Sequence, residues 1–210
     1  MKTYKVINSI IILLLILLIS CRTNNNKYLE ITDEKMKQVP NEITNNVVLI
    51  PQNDNYSCGT TSVAMAISYF EGIDKELLNK DTVWNISGSS IQIARTKGFE
   101  LQGFQKIASF YKYKCDFLEN IIISELEFLL SKGALVIIFI RLSKNSIHAV
   151  LVTGYNKQNE LVYINDPSNY IKTLSYDFLK QNWNAQFADI HRNTKQAGFI
   201  VYPKEKIISN

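Results

Sequence analysis

The stretch PQNDNYSCGTTSVAMAISYF (Pro51–Phe70) places a cysteine between a polar loop and an apolar run. Apolar residues recur with helical spacing from Val63 to Phe70, and Gly72 is a suitable helix end. The pattern therefore predicts a helix that begins at Cys58. The unpaired N–H groups and positive dipole end of such a helix favour the thiolate form of a cysteine there. Cys58 is then either a nucleophile or an ordinary small apolar residue at a helix start.

A nucleophilic thiol needs a base, and the chain contains two histidines. His148 begins the apolar strand HAVLVTGY, whereas His191 lies in a polar segment without strand periodicity. Asp166 ends the next predicted strand, ELVYIND, and a hairpin brings the start of one strand beside the end of the next. We expect Asp166 to bond Nδ1 of His148, which would leave Nε2 facing the sulfur. The alternative is that His148 is only a partly exposed polar residue and that Asp166 only begins a common Asp-Pro turn.

Gln52 precedes the cysteine by six residues in the same polar loop. A loop of this length can fold back, so that the side-chain amide donates to an oxyanion together with the N–H of Cys58. Each such donor contributes about 3 kcal/mol to transition-state stabilisation. The alternative is that Gln52 is a solvated loop residue.

The other patterns are helical early in the chain and strand-like later. Helices are predicted at Ser89–Gly98 and Ile123–Gly133, each closed by glycine, and at Ser175–Trp183. Besides the two strands named above, two more are predicted at Ala134–Ile140 and Gly198–Pro203. This order predicts an α+β fold, in which N-terminal helices pack on a C-terminal, mostly antiparallel sheet.

Taken together, PQNDNYSCGTTSVAMAISYF, HAVLVTGYN and VYINDPS resemble the papain-like cysteine peptidases of family thirty-nine. That family includes the double-glycine leader peptidase domains of bacteriocin exporters and stand-alone relatives. The resemblance implies a papain-like fold with Cys58 as nucleophile, His148 as general base and acid, Asp166 as the orienting residue and Gln52 as oxyanion donor. It also implies a peptide or protein substrate. No ATP-binding motif accompanies these residues, so we do not extend the resemblance to transport or to double-glycine leaders.

The first residues have the pattern of an export signal. Lys2 and Lys5 precede ten uninterrupted apolar residues, and LISC (Leu18–Cys21) resembles the lipobox of bacterial lipoproteins. We expect a signal peptide at 1–20, a lipidated N-terminus and flexible tether at 21–46, and the peptidase-like domain at 47–205. The alternative is an uncleaved anchor with a chance cysteine. Either way the domain is expected to be exported and membrane-anchored, and Arg22 after the cysteine favours an outer membrane or cell surface.

Composition and charge exclude other classes. Of the 23 basic residues two lie in the leader, which leaves 21 against 19 acidic ones and no basic cluster for nucleic acid. The cysteines and histidines have no zinc-ligand spacing, and we expect no metal, no cofactor and a monomer.

Three questions remain open at this level. A disulfide between Cys58 and Cys115 would block the nucleophile. The same site could instead cut cell-wall peptide or transfer an acyl group. A non-catalytic module that grips an exported peptide is the alternative from a different class.

Overall fold

The computed structural model describes residues 33–72, 80–97, 99–144, 146–187 and 190–204, all within one unit, Ile31–Lys206. The predicted signal peptide and Cys21 lie outside the described residues. In chain order the elements are α1 (Asp33–Lys37), β1 (Glu42–Thr44), α2 (Cys58–Glu71), α3 (Lys80–Ser87), α4 (Ile91–Lys97), α5 (Leu101–Phe110), β2 (Tyr113–Leu118), α6 (Ile123–Ser131), β3 (Leu135–Ser143), β4 (Ser146–Asn156), β5 (Leu161–Asn165), β6 (Thr173–Ser175), α7 (Tyr176–Asn182), β7 (Asn184–Phe187), β8 (Ile190–Lys195) and β9 (Gly198–Pro203).

The main sheet has the strand order β2-β9-β3-β4-β5-β6, with antiparallel pairing between neighbours. β1 also pairs with β4, and β7 and β8 form a separate two-stranded sheet. Residues Leu135–Ile140 of β3 are buried along their whole length, which explains their unbroken apolar sequence. Alternate residues of this strand, beginning with Leu135, join the core that contains the inner side of α2. The α+β class predicted from the sequence is confirmed.

Helix α2 is the central helix of the fold, and its residues from Gly59 to Ser68 are buried. It ends at Gly72, whose φ of 63° lies in the left-handed region and whose N–H bonds the carbonyl of Ser68. A Cβ at Gly59 would lie 3.0 Å from Cζ of Phe104, so the core is tightly packed against this glycine.

The N-terminal boundary of the fold differs from the prediction. Residues up to 46 were expected to form a tether, but Glu42–Thr44 form β1 and pair with the end of β4. The carbonyl of Pro40 accepts a hydrogen bond from the Tyr155 hydroxyl at 2.9 Å, and the carbonyl of Asn41 accepts one from Lys157 N at 2.8 Å. A three-residue strand has too little apolar pattern to be visible in a sequence, because its position depends on the strand that it pairs with.

Other elements were also missed, because apolar periodicity in the sequence does not mark them. The segment around His191 was read as lacking strand character, yet Ile190–Lys195 forms β8. The helices α3 and α5 and the edge strand β2 were not predicted either. Within the described residues no helix is long and apolar enough to cross a membrane.

Candidate active site

The loop before α2 is organised by a side chain that the sequence analysis overlooked. Oδ1 of Asp54 accepts hydrogen bonds from the backbone N–H groups of Tyr56 at 3.0 Å and Ser57 at 2.8 Å. Oδ2 accepts the Ser57 hydroxyl at 2.9 Å. Aspartate commonly folds its own downstream backbone in this way, and that preference was the available signal. The turn delivers Cys58 to the first position of α2 with a partly exposed side chain.

His148 reaches the same place from the sheet. It is the third residue of β4, and the Ser62 hydroxyl of α2 lies 3.4 Å from the carbonyl of the next residue, Ala149. This contact joins helix and strand beside the histidine. Cys58 raises the pKa of His148 by hydrogen bonding and by its charge, so the thiol and the ring lie close together. The predicted nucleophile and base are therefore brought together.

Asp166 meets His148 through the β4–β5 hairpin. Leu151 pairs with Asn165, so the residue after β5 lies close to the beginning of β4. Nε2 of His148 is 2.6 Å from Oδ1 of Asp166, and the two residues are 7% and 2% exposed. Because an ionised carboxylate only accepts, Nε2 carries the proton in this bond.

The ring nitrogens have the opposite roles to those predicted. We expected Nδ1 to face Asp166, but Nε2 does so, which leaves Nδ1 as the ring nitrogen available to Cys58. Nδ1 lies nearer the backbone of a histidine and Nε2 lies at the tip of the ring. Sequence spacing brings residues together, whereas the side-chain torsions decide which atom meets which partner.

The carboxylate of Asp166 accepts five hydrogen bonds. Oδ1 receives His148 Nε2, the Ser168 N–H at 2.8 Å and the Ser168 hydroxyl at 2.6 Å. Oδ2 receives the backbone N–H groups of Tyr170 at 3.2 Å and Ile171 at 3.0 Å. Burial raises the pKa of Asp166, but these bonds outweigh it, so the pKa lies well below its ordinary value. Asp166 is therefore a fixed negative charge beside the ring.

The same balance operates at the histidine. Burial lowers the pKa of His148, while its hydrogen bonds to Asp166 and Cys58 and the charges of both partners raise it. The bonds prevail and raise the pKa of His148 from 6.5 to about 9. The imidazolium form is thus favoured at neutral pH.

Gln52 lies between the loop and the Asp166 turn. Its backbone N–H donates to the carbonyl of Pro167 at 2.8 Å, and its Nε2 donates to the carbonyl of Asp54 at 2.8 Å. Its Oε1 is buried without a hydrogen-bond partner in the described part of the chain. One of the two amide protons is therefore used by the loop.

A small pocket adjoins the loop that carries Cys58. Tyr56 and Trp84 meet edge to face there, with ring centroids 5.4 Å apart, and the Arg95 guanidinium lies 4.8 Å from the Tyr56 centroid. The pocket has a volume of about 50 Å³ and is lined by Asp54, Tyr56, Ser57, Asp81, Trp84 and Ile91.

The second cysteine of the domain is chemically different. Cys115 lies on β2 in the hydrophobic core, and burial raises the pKa of its thiol far above the ordinary value. Cys58 and Cys115 are both free thiols, so the structure does not contain the alternative disulfide. Among the described residues no group of three or more His, Cys, Asp or Glu side chains is arranged to hold a metal ion.

The sequence matches the family model described as Peptidase_C39 like family over residues 44–197. The chain belongs to this C39-like family. The matched region begins within β1 and ends just before β9, so it contains all of the residues of the candidate active site. No curated protein matches the sequence.

Several solved structures share the fold of this chain. One is a double glycine motif protease from an AMS/PCAT transporter in complex with the leader peptide, with 20% identity, a TM-score of 0.55 and coverage of 77% of this chain and 94% of that one. The peptidase domain of Streptococcus ComA has 16% identity, a TM-score of 0.51 and coverage of 74% and 98%. Xylellain, a cysteine protease from Xylella fastidiosa, has 13% identity, a TM-score of 0.52 and coverage of 82% and 89%. At these identities the likeness concerns the fold.

Proposed function

We propose that this member of the C39-like family is a cysteine peptidase that cleaves a peptide bond with Cys58, His148 and Asp166. The observation that carries the proposal is the His148 imidazole, which lies close enough to Cys58 for the thiol to raise its pKa and is 2.6 Å from the Asp166 carboxylate. A thiol, a base and an orienting acid in this order are the parts that nucleophilic catalysis requires. The fold of the family's peptidases is consistent with that chemistry.

In the proposed reaction the thiolate of Cys58 attacks the peptide carbonyl carbon, and a C–S bond forms. The oxyanion then collapses, the C–N bond breaks, and the His148 imidazolium gives its proton to the leaving amine. A thioester remains on Cys58. Water attacks it while neutral His148 takes the water proton, the C–S bond breaks, and a carboxylic acid leaves. Asp166 keeps its charge throughout and stabilises the imidazolium.

We assign the oxyanion site to Gln52 and the start of α2. The first N–H groups of a helix have no partner within it, so the Cys58 N–H is available to a ligand. The second amide proton of Gln52 is the other donor, since the first bonds the carbonyl of Asp54. We expect Gln52→Ala to lower kcat about 10²-fold, which corresponds to the loss of one oxyanion donor.

Alkylation of the thiols tests the pair without knowledge of the substrate. At pH 7 iodoacetamide should label Cys58 much faster than the buried Cys115, and His148→Ala should slow the labelling of Cys58. His191→Ala is the matched control and should leave the rate unchanged. Equal rates at the two cysteines in the folded protein, or no effect of His148→Ala, would contradict the proposal.

The substrate is proposed to be an exported peptide or protein. A fold relative holds a leader peptide, and the aromatic pocket beside Cys58 offers a surface for a peptide side chain. Incubation with peptide and muropeptide mixtures, followed by mass spectrometry, distinguishes peptide hydrolysis from cell-wall hydrolysis and acyl transfer. If the protein is instead a non-catalytic peptide-binding module, cells that carry Cys58→Ser should keep the wild-type phenotype.

We also propose that the chain is a lipoprotein, processed before Cys21. The support is the LISC sequence after the apolar run. Metabolic labelling with a fatty acid should mark the wild type and fail in Cys21→Ala. A wild-type protein that takes up no fatty acid and keeps its leader would favour the uncleaved anchor.

A further inference from the structure

The hydroxyl of Ser168 bridges the two partners of the His148–Asp166 bond. Its Oγ is 2.6 Å from Oδ1 of Asp166 and 3.2 Å from Nε2 of His148. Ser168 is half-buried and lies between this bond and the solvent-exposed residues of the turn, Asn169 and Tyr170. None of the proposed catalytic steps uses it.

We propose that Ser168 is a positioning residue, whose hydroxyl holds the His148 ring with Nε2 toward Asp166 and Nδ1 toward the thiol. Its proton goes to Oδ1, since the carboxylate oxygen can only accept. Its lone pairs then face the Nε2–H and give that proton a second acceptor. This role rests on the proposed function, because the orientation matters only if Nδ1 serves the Cys58 thiol.

The effect of the Ser168 hydroxyl on the ring can be separated from that of the backbone N–H groups of the turn. The Ser168 N–H already bonds Oδ1, and the N–H groups of Tyr170 and Ile171 bond Oδ2. These backbone bonds hold the carboxylate whatever side chain follows Pro167. Ser168→Ala therefore removes the second acceptor and opens the Nε2–H to water, while the carboxylate stays in place. Ser168→Thr retains a hydroxyl and is the matched variant.

The ring can be observed directly, because the chain has only two histidines. In protein labelled with ¹⁵N-histidine, His191→Gln assigns the His148 resonances. We expect the Nε2–H of His148 to exchange with water about 10-fold faster in Ser168→Ala, the size of one ordinary hydrogen bond. Alkylation of Cys58 by iodoacetamide should slow about 3- to 10-fold for the same reason. Ser168→Thr should restore both rates to near the wild-type values.

Two results would overturn the role of Ser168: an unchanged Nε2–H exchange rate in Ser168→Ala, or equal defects in the Ala and Thr variants. The exchange measurement does not depend on thiol chemistry. It therefore decides the role of Ser168 whatever the alkylation experiment shows. If His148→Ala leaves alkylation unchanged, that result refutes the proposed function but not the role of Ser168. If His148→Ala slows alkylation but Ser168→Ala changes neither rate, the peptidase proposal stands and the Ser168 proposal fails.

Discussion

At His148, burial and hydrogen bonding act on the ring proton in opposite directions. Burial favours the neutral ring, whereas Asp166 and Cys58 favour the charged one, and together they raise the pKa to about 9. The charge therefore exists because its partners are built into the fold. Removing one partner leaves the cost of burial in place, so the pKa of His148 is the most sensitive reporter of the site.

Stability should depend on pH through this residue. The folded pKa of about 9 lies above the ordinary 6.5, so the stabilisation is complete below about pH 6.5 and is lost as the pH rises through 9. Denaturant unfolding at pH 6, 8 and 10 should show this decline in the wild type and in His191→Gln. The decline should be weaker in His148→Gln, and identical pH slopes in all three proteins would contradict it.

Replacement of the orienting acid should lower the pKa of His148. In Asp166→Asn the carboxylate charge is lost while the cost of burial stays, so the pKa of His148 should fall from about 9. Less of the imidazole would then be charged, and alkylation of Cys58 should slow. NMR titration of the ring measures the shift, with the exposed Asp177→Asn as control. A His148 that still titrates near 9 would show that Asp166 is not its main partner.

The candidate site was predictable as a set of residues but not as a set of contacts. Cys58, His148 and Asp166 were found from a helix start, a strand start and a strand end, because those positions follow from periodicity. The exchanged ring nitrogens and the bonds of Asp54 and Ser168 were not found. They depend on side-chain torsions and on how a short loop satisfies its own backbone, which periodicity does not describe.

Among the elements, β1 depends on a single glycine. A Cβ at Gly154 would lie 2.1 Å from the carbonyl oxygen of Ile43, far closer than van der Waals contact. The β4–β5 register also shifts between Val152 and Gly154, so β4 is irregular where β1 docks. The glycine of HAVLVTGY is thus required by an element that lies over a hundred residues earlier in the chain.

A double-mutant cycle isolates this contact. Gly154→Ala should lower the free energy of unfolding by about 2 to 4 kcal/mol, since β1 must move or detach. In a variant that begins at Asn45 the opposing carbonyl is absent, and the same substitution should cost under about 1 kcal/mol. Urea unfolding of the four proteins gives both values. An equal cost in both backgrounds would place the strain elsewhere.

Most of the elements that were predicted share one property, an apolar pattern that can be identified by itself. The strands β3, β4, β5 and β9 and the helices α2 and α6 have it, whereas α4 was predicted with the help of the glycine that closes it. β1, β7 and β8 are short and polar, and hydrogen bonding to a partner decides their conformation. β2 carries charged residues on either side of Cys115 because it is an edge strand.

For the molecule as a whole, residues 40–44 are part of the fold, although they precede the predicted start of the domain. The Tyr163 hydroxyl bonds Glu42 at 2.6 Å, in addition to the bonds of Pro40 and Asn41 described above. A protein that begins at Val47 loses all of these contacts. We expect it to be less stable than one that begins at Ile31 by about 2 kcal/mol, the sum of a few net hydrogen bonds. Equal urea midpoints for the two proteins would contradict this.

If the chain is the lipoprotein proposed above, the contacts of α1 with α6 and of β1 with β4 limit how far the proposed active site can lie from a lipid bilayer. With Cys21 acylated, only residues 22–32 separate the anchor from α1, and a stretched chain of that length covers about 40 Å at most. This connecting segment is therefore less than half as long as the tether predicted from the sequence, which runs to residue 46. Inserting a Gly-Ser spacer after Arg22 should allow cleavage of sites that lie farther from the bilayer. The rate of hydrolysis of a free peptide should stay the same.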